Sequence, residues 1–457
     1  MTDFEMLSKT TLYKAFSELG KRIFLPNGIF YWSDRAKKEA EIKATIGAAY
    51  ALEKDFASAG ESKWVPSYLE IVKNYVNKDI EKLVPYASVD GLQELRKLWK
   101  MWIIKKAAYQ ESEKKNYLTQ YISDPIVTAG LTNALFIVLS LFLDKNEKII
   151  LPNKRWGNYD NIIKRLIGAD IKSFDFFEND TLNLNGLGTA IDEISEDQEK
   201  ILLLLNFPNN PTGFVPTVDE IKKLVNYIKK KQNELNIPFI IIIDDAYEPY
   251  IYTKNSMKHS IFYEFQQLEE EIIPIKLDAI TKEMLLYGGR IGFITFGLKQ
   301  TWVKNEDEVN RLKAELDNKL KGMIRSTISN CNRFYQNLVI NLLENHKFEE
   351  IVRNRNNTVS LLKSRFEKIN FELAKIRNDL FSIDPNGGGF FLFINLDPTK
   401  IKATEFADLL LSKYKVGVIP FENPQENVNG IRIAYCSVDI QDISELIKRI
   451  NSAFQEY

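Results

Sequence analysis

The chain has 457 residues, and its 61 basic and 62 acidic side chains give a formal net charge of −1. This balance argues against a generally basic nucleic-acid binder, and a content of 45% apolar and 12% aromatic residues argues against a disordered acidic protein. Only two cysteines and two histidines occur, so the sequence implies no disulfide framework, no histidine-based zinc site and no other metal site.

The start of the chain, MTDFEMLSKT, is polar and acidic where a secretory signal would be basic and then apolar. The longest apolar runs, such as 135–143, fall well short of the about 20 residues that span a bilayer. We therefore expect a cytoplasmic protein without a membrane segment. Residues 1–50 show no sheet pattern of their own, and we expect them to pack with the C-terminal part of the chain.

The middle of the chain alternates strands with helices. Continuous apolar runs such as 201–206 and 239–244 predict strands that are covered on both faces, and helical spacing of apolar residues predicts the segments between them. The predicted strands are 125–128, 148–151, 201–206, 239–244, 273–278 and 290–296, and the predicted helices are 133–143, 161–166 and 217–234. This alternation predicts an α/β fold with helices on both sides of the sheet.

After about residue 300 the pattern changes to two long helices, predicted at 302–321 and 332–369. A second α/β region follows, with predicted strands 389–396, 416–420 and 430–434 and predicted helices 403–414 and 440–454. We therefore expect an N-terminal segment (1–50), a large domain (51–330) and a small C-terminal domain (331–457).

Three segments with chemically useful residues follow apolar strands, where ligands bind in open α/β sheets. Residues 206–213 read NFPNNPTG, a rigid loop that could aim Asn210 outward, although an ordinary Asn-Pro turn would look the same. Residues 243–247 read IDDAY, and a carboxylate at Asp244 would need a cation, a metal or a protonated ring nitrogen. The alternative for an aspartate at this place is to cap the N-terminus of a helix, and we favour this role for Asp245.

The third segment, residues 279–292, reads AITKEMLLYGGRIG. Lys282 follows a predicted strand and can form a Schiff base if burial and neighbouring cations lower its pKa. Arg290 lies eight residues later and can bind a phosphate through its forked guanidinium. Without the other segments, Lys282 would be interpreted as an ordinary surface lysine.

Together these three segments resemble the aspartate and aromatic aminotransferases of class I/II, which bind pyridoxal phosphate (PLP) on the fold-type I scaffold. The order and spacing match, since 34 residues separate Asn210 from Asp244 and 38 separate Asp244 from Lys282. The resemblance implies a large PLP-binding domain with a mixed, mostly parallel sheet between helices and a smaller α/β C-terminal domain. It also implies a homodimer with shared active sites.

The resemblance extends from about residue 44 to 440 and implies a role for each matching residue. Lys282 would hold the cofactor and move the Cα proton, Asp244 would keep the ring nitrogen protonated, and Tyr247 would act with Asn210 on the phenolic oxygen. The other implied cofactor contacts are Gly130, Leu131 and Thr132 in TAGLTNAL, the stacking aromatic Trp156, Arg290, and Tyr86 from the neighbouring subunit. Gly47 and Arg432 would bind the substrate's α-carboxylate. A plain βα turn at TAGLTNAL and a core tryptophan at Trp156 are the structural alternatives.

The sequence departs from the family at several positions. Ala279 stands where a phosphate-binding serine is usual, which leaves Thr281 as a possible replacement, and Tyr159 stands where histidine is commoner. The Tyr159 hydroxyl could still donate to Asp244. In GMIRSTISNCN, Arg325 resembles the arginine that reads a distal carboxylate across the dimer interface, but an exposed arginine that balances a helix dipole is an equal alternative.

The resemblance implies transfer of an amino group from an L-amino acid, of the aspartate or aromatic type, to a 2-oxo acid such as 2-oxoglutarate. These small molecules are the expected partners, with neither nucleic acid nor membrane. A PLP-dependent lyase or decarboxylase on the same fold is the main alternative. A non-catalytic PLP-sensing regulator is less consistent with the chain, because the sequence has no added N-terminal domain of sufficient size and no basic charge.

Overall fold

The computed structural model describes residues 28–58, 60–75, 83–107, 111–377 and 379–457. The helices are α1 Ile29–Glu39, α2 Gln93–Ala107, α3 Ser112–Tyr121, α4 Leu131–Phe142, α5 Asn158–Asp160 (which continues as a π-helix over Asn161–Ile167), α6 Leu184–Ser195, α7 Val218–Leu235, α8 Phe262–Gln266, α9 Ile280–Glu283, α10 Glu306–Thr327, α11 Arg333–Asn345, α12 Phe348–Leu373, α13 Ala403–Ser412 and α14 Ile443–Phe454. The strands are β1 Ile42–Lys43, β2 Tyr50–Leu52, β3 Trp64–Pro66, β4 Ile126–Thr128, β5 Lys148–Pro152, β6 Asp170–Phe174, β7 Phe177–Glu178, β8 Thr181–Leu182, β9 Ile201–Asn206, β10 Phe239–Asp244, β11 Ile272–Ala279, β12 Gly292–Phe296, β13 Phe381–Ile383, β14 Leu392–Leu396, β15 Val416–Gly417, β16 Ile419–Asn423 and β17 Val428–Ile433.

A seven-stranded sheet forms the centre of the fold, in the order β4-β12-β11-β10-β9-β5-β6. Every neighbouring pair from β11 to β6 is parallel, whereas β12 runs antiparallel to both of its neighbours. The apolar runs of β9 and β10 are buried along their whole length, because helices cover both faces of the sheet. The predicted α/β fold is therefore confirmed. No helix among the described residues is long and apolar enough to cross a membrane.

A smaller antiparallel sheet, in the order β13-β14-β17-β16, lies in the C-terminal part of the chain. Strand β1 pairs in parallel with β15, and Arg35 on α1 forms an ion pair with Asp408 on α13. Residues 28–43 thus contact the C-terminal part, whereas 1–27 of the predicted N-terminal segment lie outside the described residues. The division of the chain at residues 50 and 330 stays a prediction.

Three predicted elements differ from the structure. The long helix predicted over 332–369 is two helices, because His346 and Lys347 are extended between α11 and α12. The His346 ring forms a hydrogen bond with the Tyr75 hydroxyl and an ion-pair contact with Glu350. Side-chain contacts therefore accompany this break, which no glycine or proline signals in the sequence. The strand predicted over 416–420 is two strands, β15 and β16, that join different sheets. The helix predicted over 302–321 is α10, which begins at Glu306 and ends at Thr327, so Arg325 lies in its last turn.

Candidate active site

A cavity of about 300 Å³ opens at the carboxyl edge of the large sheet. The structure brings together in its wall most of the predicted site residues, namely Gly47, Leu131, Thr132, Trp156, Asn210, Asp244, Tyr247, Lys282, Arg290 and Arg432. Residues that sequence reasoning did not single out as site residues also line it, among them Ile29, Asn206 and Phe391. Asn206 opens the NFPNNPTG motif and so had a sequence signal, whereas nothing in the run GGGFFLF distinguishes Phe391 from its neighbours.

Lys282 extends into this cavity from α9, the single helical turn that follows β11. Its Nζ atom lies 4.9 Å from the centre of the Tyr247 ring. Burial lowers the pKa of Lys282 to about 8; Asp244 opposes this shift, and the Arg290 guanidinium adds to it. A larger fraction of the amine is therefore neutral near pH 7 than in an ordinary lysine, which is the form that attacks a carbonyl carbon.

Asp244 is the last residue of β10, and its carboxylate is buried with two hydrogen-bond donors. The Tyr159 hydroxyl donates to Oδ2 at 2.6 Å, and the Ala246 amide donates to Oδ1 at 3.0 Å. Burial raises the pKa of Asp244, while both hydrogen bonds and the charge of Lys282 lower it. The expected contact from Tyr159 is confirmed, so this tyrosine supplies the donor where the family more often has histidine.

The helix-cap role predicted for Asp245 is wrong. A turn, not a helix, follows β10, and the buried Asp245 carboxylate forms an ion pair with Lys276 and accepts a hydrogen bond from the Ser260 hydroxyl at 2.6 Å. Lys276 points to the opposite face of β11 from Leu277, which is the register partner of Asp244, so Asp245 lies away from the Asp244 carboxylate. Asp244 is therefore the one of the two aspartates that reaches the cavity.

Arg432 on β17 is a buried cation at the opposite wall of the cavity. Its Nη1 donates to Asn210 Oδ1 and its Nη2 to the carbonyl of Thr45, each at 3.0 Å, and its guanidinium lies 4.2 Å above the Phe391 ring. Its Nε has no hydrogen-bond partner among the described residues, and burial lowers the pKa of Arg432 to about 10. A buried guanidinium with a donor left over fits an anionic ligand.

The loop from β4 to α4 lies against Arg290 and forms the other end of the cavity. Gly130 precedes α4 at φ 84°, ψ 170°, a conformation open only to glycine, and a Cβ atom there would lie 2.4 Å from Arg290 Nη2. Gly292 permits a second close approach, since its Cβ would lie 2.6 Å from the Gly130 carbonyl carbon. The first amides of α4, at Leu131 and Thr132, have no acceptor within the helix. Together with the Arg290 guanidinium they form a cradle for an anion.

Aromatic and glycine residues shape the middle of the cavity. The Trp156 ring meets Tyr159 edge to face, with ring centres 5.4 Å apart. A Cβ atom on Gly47 would lie 2.8 Å from the Phe391 ring, so only glycine lets the backbone approach this closely. Burial raises the pKa of Tyr247, which keeps its hydroxyl protonated as a hydrogen-bond donor.

Besides Gly130, which directly precedes the lining residue Leu131, two predicted site residues do not line the cavity of their own chain. Tyr86 is 88% exposed, and its carbonyl accepts a hydrogen bond from Arg333 at 2.9 Å. Arg325 is exposed in the last turn of α10, where it contacts Ser329. Their predicted roles depend on a second subunit and stay predictions.

The remaining groups fit PLP as a ligand. The cradle at Gly130 and Arg290 suits its phosphate, the buried Asp244 carboxylate suits a protonated ring nitrogen, and the Lys282 amine lies at the cavity wall between them. Ala279 lines the cavity and offers no hydroxyl, whereas Thr281 lines it too and keeps one.

Comparisons with known proteins agree with this geometry. The family model for class I and II aminotransferases matches residues 63–450. A probable aspartate/prephenate aminotransferase of Aquifex aeolicus is 24% identical over 381 residues, which are 81% of this chain and 84% of that protein. An aromatic-amino-acid aminotransferase of Thermococcus litoralis is 21% identical and covers 85% of this chain and 88% of its own.

Solved structures show the same fold. An aminotransferase from Anaerococcus prevotii superposes with a TM-score of 0.78 at 23% identity, over 96% of this chain and 99% of the other. The kynurenine aminotransferase of Pyrococcus horikoshii, solved with PMP, superposes with a TM-score of 0.76 at 18% identity, over 98% of each chain. The family model covers most of the chain, and the cavity has the groups that the cofactor needs. The chain therefore belongs to the class I and II aminotransferases, the PLP-dependent enzymes that transfer amino groups between amino acids and 2-oxo acids.

Proposed function

We propose that the amino-group donor is an L-amino acid of the aspartate or aromatic type and that the acceptor is a 2-oxo acid such as 2-oxoglutarate. The names of relatives support this range, since they include aspartate and aromatic-amino-acid aminotransferases. The observation that carries the proposal is the convergence on one cavity of Lys282, Asp244 and Arg432, which come from three separate segments.

Each residue has a defined task in this proposal. When bound, PLP supplies an aldehyde that condenses with amines and a ring that withdraws electrons from the substrate's Cα atom. The Lys282 amine would act first as the base for the substrate's Cα proton and then, once protonated, as an acid. Asp244 holds the proton on the ring nitrogen, and the Tyr159 hydroxyl steadies the Asp244 carboxylate.

The other residues bind and orient. Arg432 would bind the substrate's α-carboxylate through both arms of its guanidinium beside the Gly47 backbone, and so fix the orientation of the bonds at Cα. Tyr247 and Asn210 would donate hydrogen bonds to the cofactor's phenolic oxygen and so tune the proton affinity of the Lys282 nitrogen. The phosphate is held by Gly130, Leu131, Thr132 and Arg290 with Tyr86 of a second subunit, and Trp156 stacks on the ring.

The first test of this assignment is chemical labelling. Borohydride reduction of the holoenzyme followed by peptide mass mapping should find the pyridoxyl group on Lys282. A label on Lys276 or Lys299 instead would overturn the assignment. In a product assay with 2-oxoglutarate and a panel of amino acids, the enzyme should form glutamate, whereas release of ammonia without glutamate would contradict transamination.

A homodimer with shared sites is part of the proposal. The high exposure of Tyr86 supports it, because a large aromatic side chain at the surface is available to a second subunit. Mixing inactive Lys282→Ala protein with inactive Tyr86→Ala protein should restore activity in one of the two sites of each hybrid. Hybrids that form and stay inactive would count against sharing.

Arg325 is the proposed reader of a distal carboxylate, and its exposure in its own chain supports an action across an interface. Breaking one side of a buried charge pair costs roughly 2–5 kcal/mol, so Arg325→Leu should lower kcat/KM for aspartate by about 30-fold or more. Aromatic donors should be spared. Arg311→Leu, at an exposed arginine of the same helix, is the matched control. An equal, small effect of both variants on every donor would leave Arg325 with a surface role.

A further inference from the structure

A buried cluster of charged side chains lies on the face of the large sheet opposite the Asp244 carboxylate. Lys276 and Asp278 reach it from β11, because alternate side chains of a strand share a face, and Asp245 reaches it from the position directly after β10. The other members are Lys106 on α2, Glu248 in the turn after β10, Glu283 on α9 and Arg355 on α12, and all seven are buried. The cluster therefore has four carboxyl groups and three cations, and two of its carboxylates directly follow Asp244 and Lys282 in the sequence.

Glu283 connects the cluster to the turn that carries Lys282. Its carboxylate forms an ion pair with Arg355 and another, at 3.1 Å, with Lys106 Nζ. The indole of Trp102 donates a hydrogen bond to Glu283 Oε1 at 3.1 Å. Three donors from two long helices, α2 and α12, thus hold one side chain of α9.

This anchoring matters because α9 is only four residues long. Isolated helices shorter than about 12 residues are marginal in water, so tertiary contacts must fix this turn. The carbonyl of Lys282 is held as well, since the buried Tyr250 hydroxyl donates to it at 2.8 Å. The contacts of Glu283 and the hydrogen bond from Tyr250 thus attach the turn that carries Lys282 to the interior of the protein.

We propose that Glu283 and Arg355 are positioning residues for the transfer reaction, whose ion pair fixes α9 so that the Lys282 amine meets the cofactor aldehyde and the substrate's Cα proton in one orientation. This inference rests on the proposed role of Lys282 in the preceding section. Neither side chain lines the cavity, so each acts through Lys282 and not by touching substrate or cofactor.

The substitutions Glu283→Gln and Arg355→Met break the pair, and Arg355→Lys keeps its charge. Glu283→Gln leaves three carboxyl groups and three cations in the cluster. It therefore removes the ion pair with Arg355 without creating an excess of buried negative charge. Exposed residues of α12 provide the controls Arg353→Met and Glu367→Gln. For each holoenzyme we would measure the pH midpoint of the Schiff-base absorbance, the rate at which the apoenzyme forms this absorbance with PLP, and kcat and KM.

A misplacement of about 1 Å can cost roughly a hundredfold in rate, so kcat should fall by about that factor in Glu283→Gln and Arg355→Met. KM for the amino acid should change little, the pH midpoint should shift, and Arg355→Lys should recover part of the loss. The double variant should be no worse than the poorer single variant, because residues that act as one unit are not additive. Unchanged spectra with control-like kcat, or additive losses, would overturn the proposal.

Two further measurements keep the test decisive. If Glu283→Gln shows no cooperative thermal transition, the comparison of Arg355→Lys with Arg355→Met decides, since recovery by lysine supports positioning and equal loss refutes it. Borohydride labelling of the wild-type enzyme separates this inference from the proposed function. A label away from Lys282 would refute the catalytic assignment itself, whereas a label on Lys282 with unaffected variants would refute only the role of Glu283 and Arg355.

Discussion

Removal of the Tyr159 hydroxyl should slow the enzyme through Asp244. The hydroxyl is one of two donors to this buried carboxylate, and its 2.6 Å hydrogen bond is shorter than the 3.0 Å bond from the Ala246 amide. In Tyr159→Phe the carboxylate keeps a single donor. Because the lost bond stabilised the charged form, the pKa of Asp244 should rise, and a shared proton should move from the cofactor's ring nitrogen towards the carboxyl group.

The size of the effect follows from the charge on the acceptor. A hydrogen bond to a charged group contributes roughly 1.5–3 kcal/mol, so kcat/KM should fall by roughly 10- to 150-fold. The assay is the single-turnover rate of amino-group transfer from the best donor, with saturating PLP to keep the site loaded. Tyr159→His should retain most of the rate, because an imidazole can also donate to the carboxylate.

The matched control is Tyr414→Phe, which removes a hydroxyl that hydrogen-bonds to the Glu456 carboxylate and the Ser452 carbonyl, away from the cavity. This variant should transfer amino groups at the wild-type rate. A Tyr159→Phe enzyme that also stays within about twofold of wild type would refute the reasoning, since a lost charged hydrogen bond predicts at least tenfold.

Three other changes test the cofactor site and one buried ion pair through protein stability and PLP binding. Lys282→Met should stabilise the apoprotein at pH 7 by up to about 3 kcal/mol, because the folded amine has a pKa of about 8 against 10.5 unfolded, and urea unfolding should show this advantage vanishing as pH rises towards 10.5. Gly130→Ala should weaken PLP binding about tenfold or more in a fluorescence titration, since its Cβ would displace the phosphate-binding guanidinium, whereas Gly322→Ala, in open space on a helix, should leave binding unchanged. Lys154→Met should lower the free energy of unfolding by about 3 kcal/mol because it leaves the buried Asp384 carboxylate without its cation, and a loss below about 1 kcal/mol in urea would contradict this.

The strands and their chemically active ends could be predicted because their signals are local. The apolar runs of β9 and β10 are bounded in the sequence as they are in the structure, and each ends in a polar residue, Asn206 or Asp244, that reaches the cavity edge. Ligand sites at the carboxyl ends of parallel strands follow from the geometry of the sheet. The contact from Tyr159 to Asp244 could be anticipated from the family resemblance, since tyrosine replaces one donor by another at a matched position.

Features that depend on distant residues had no local signal. The break between α11 and α12 lies at His346, whose ring bonds to Tyr75, 271 residues away in the chain. The role of Phe391, which lies beneath the Arg432 guanidinium, depends on the pairing of β14 with β17. In both cases the local sequence permits several outcomes, and packing against remote segments selects one.

The two adjacent aspartates show how far local reasoning extends. Asp244 ends β10 and lines the cavity, whereas Asp245 directly follows the strand and forms an ion pair with Lys276 on the other side of the sheet. The sequence indicates that Asp244 is the residue that enters the cavity. It does not indicate the partner of Asp245, because this partner, Lys276, lies 31 residues away on β11. A similar division recurs on α9, the helical turn after β11, where Lys282 lines the cavity and Glu283 joins the buried cluster. At both strand ends, then, a residue proposed for catalysis is followed by a carboxylate anchored among buried cations, which ties the position of the reacting groups to the interior of the fold.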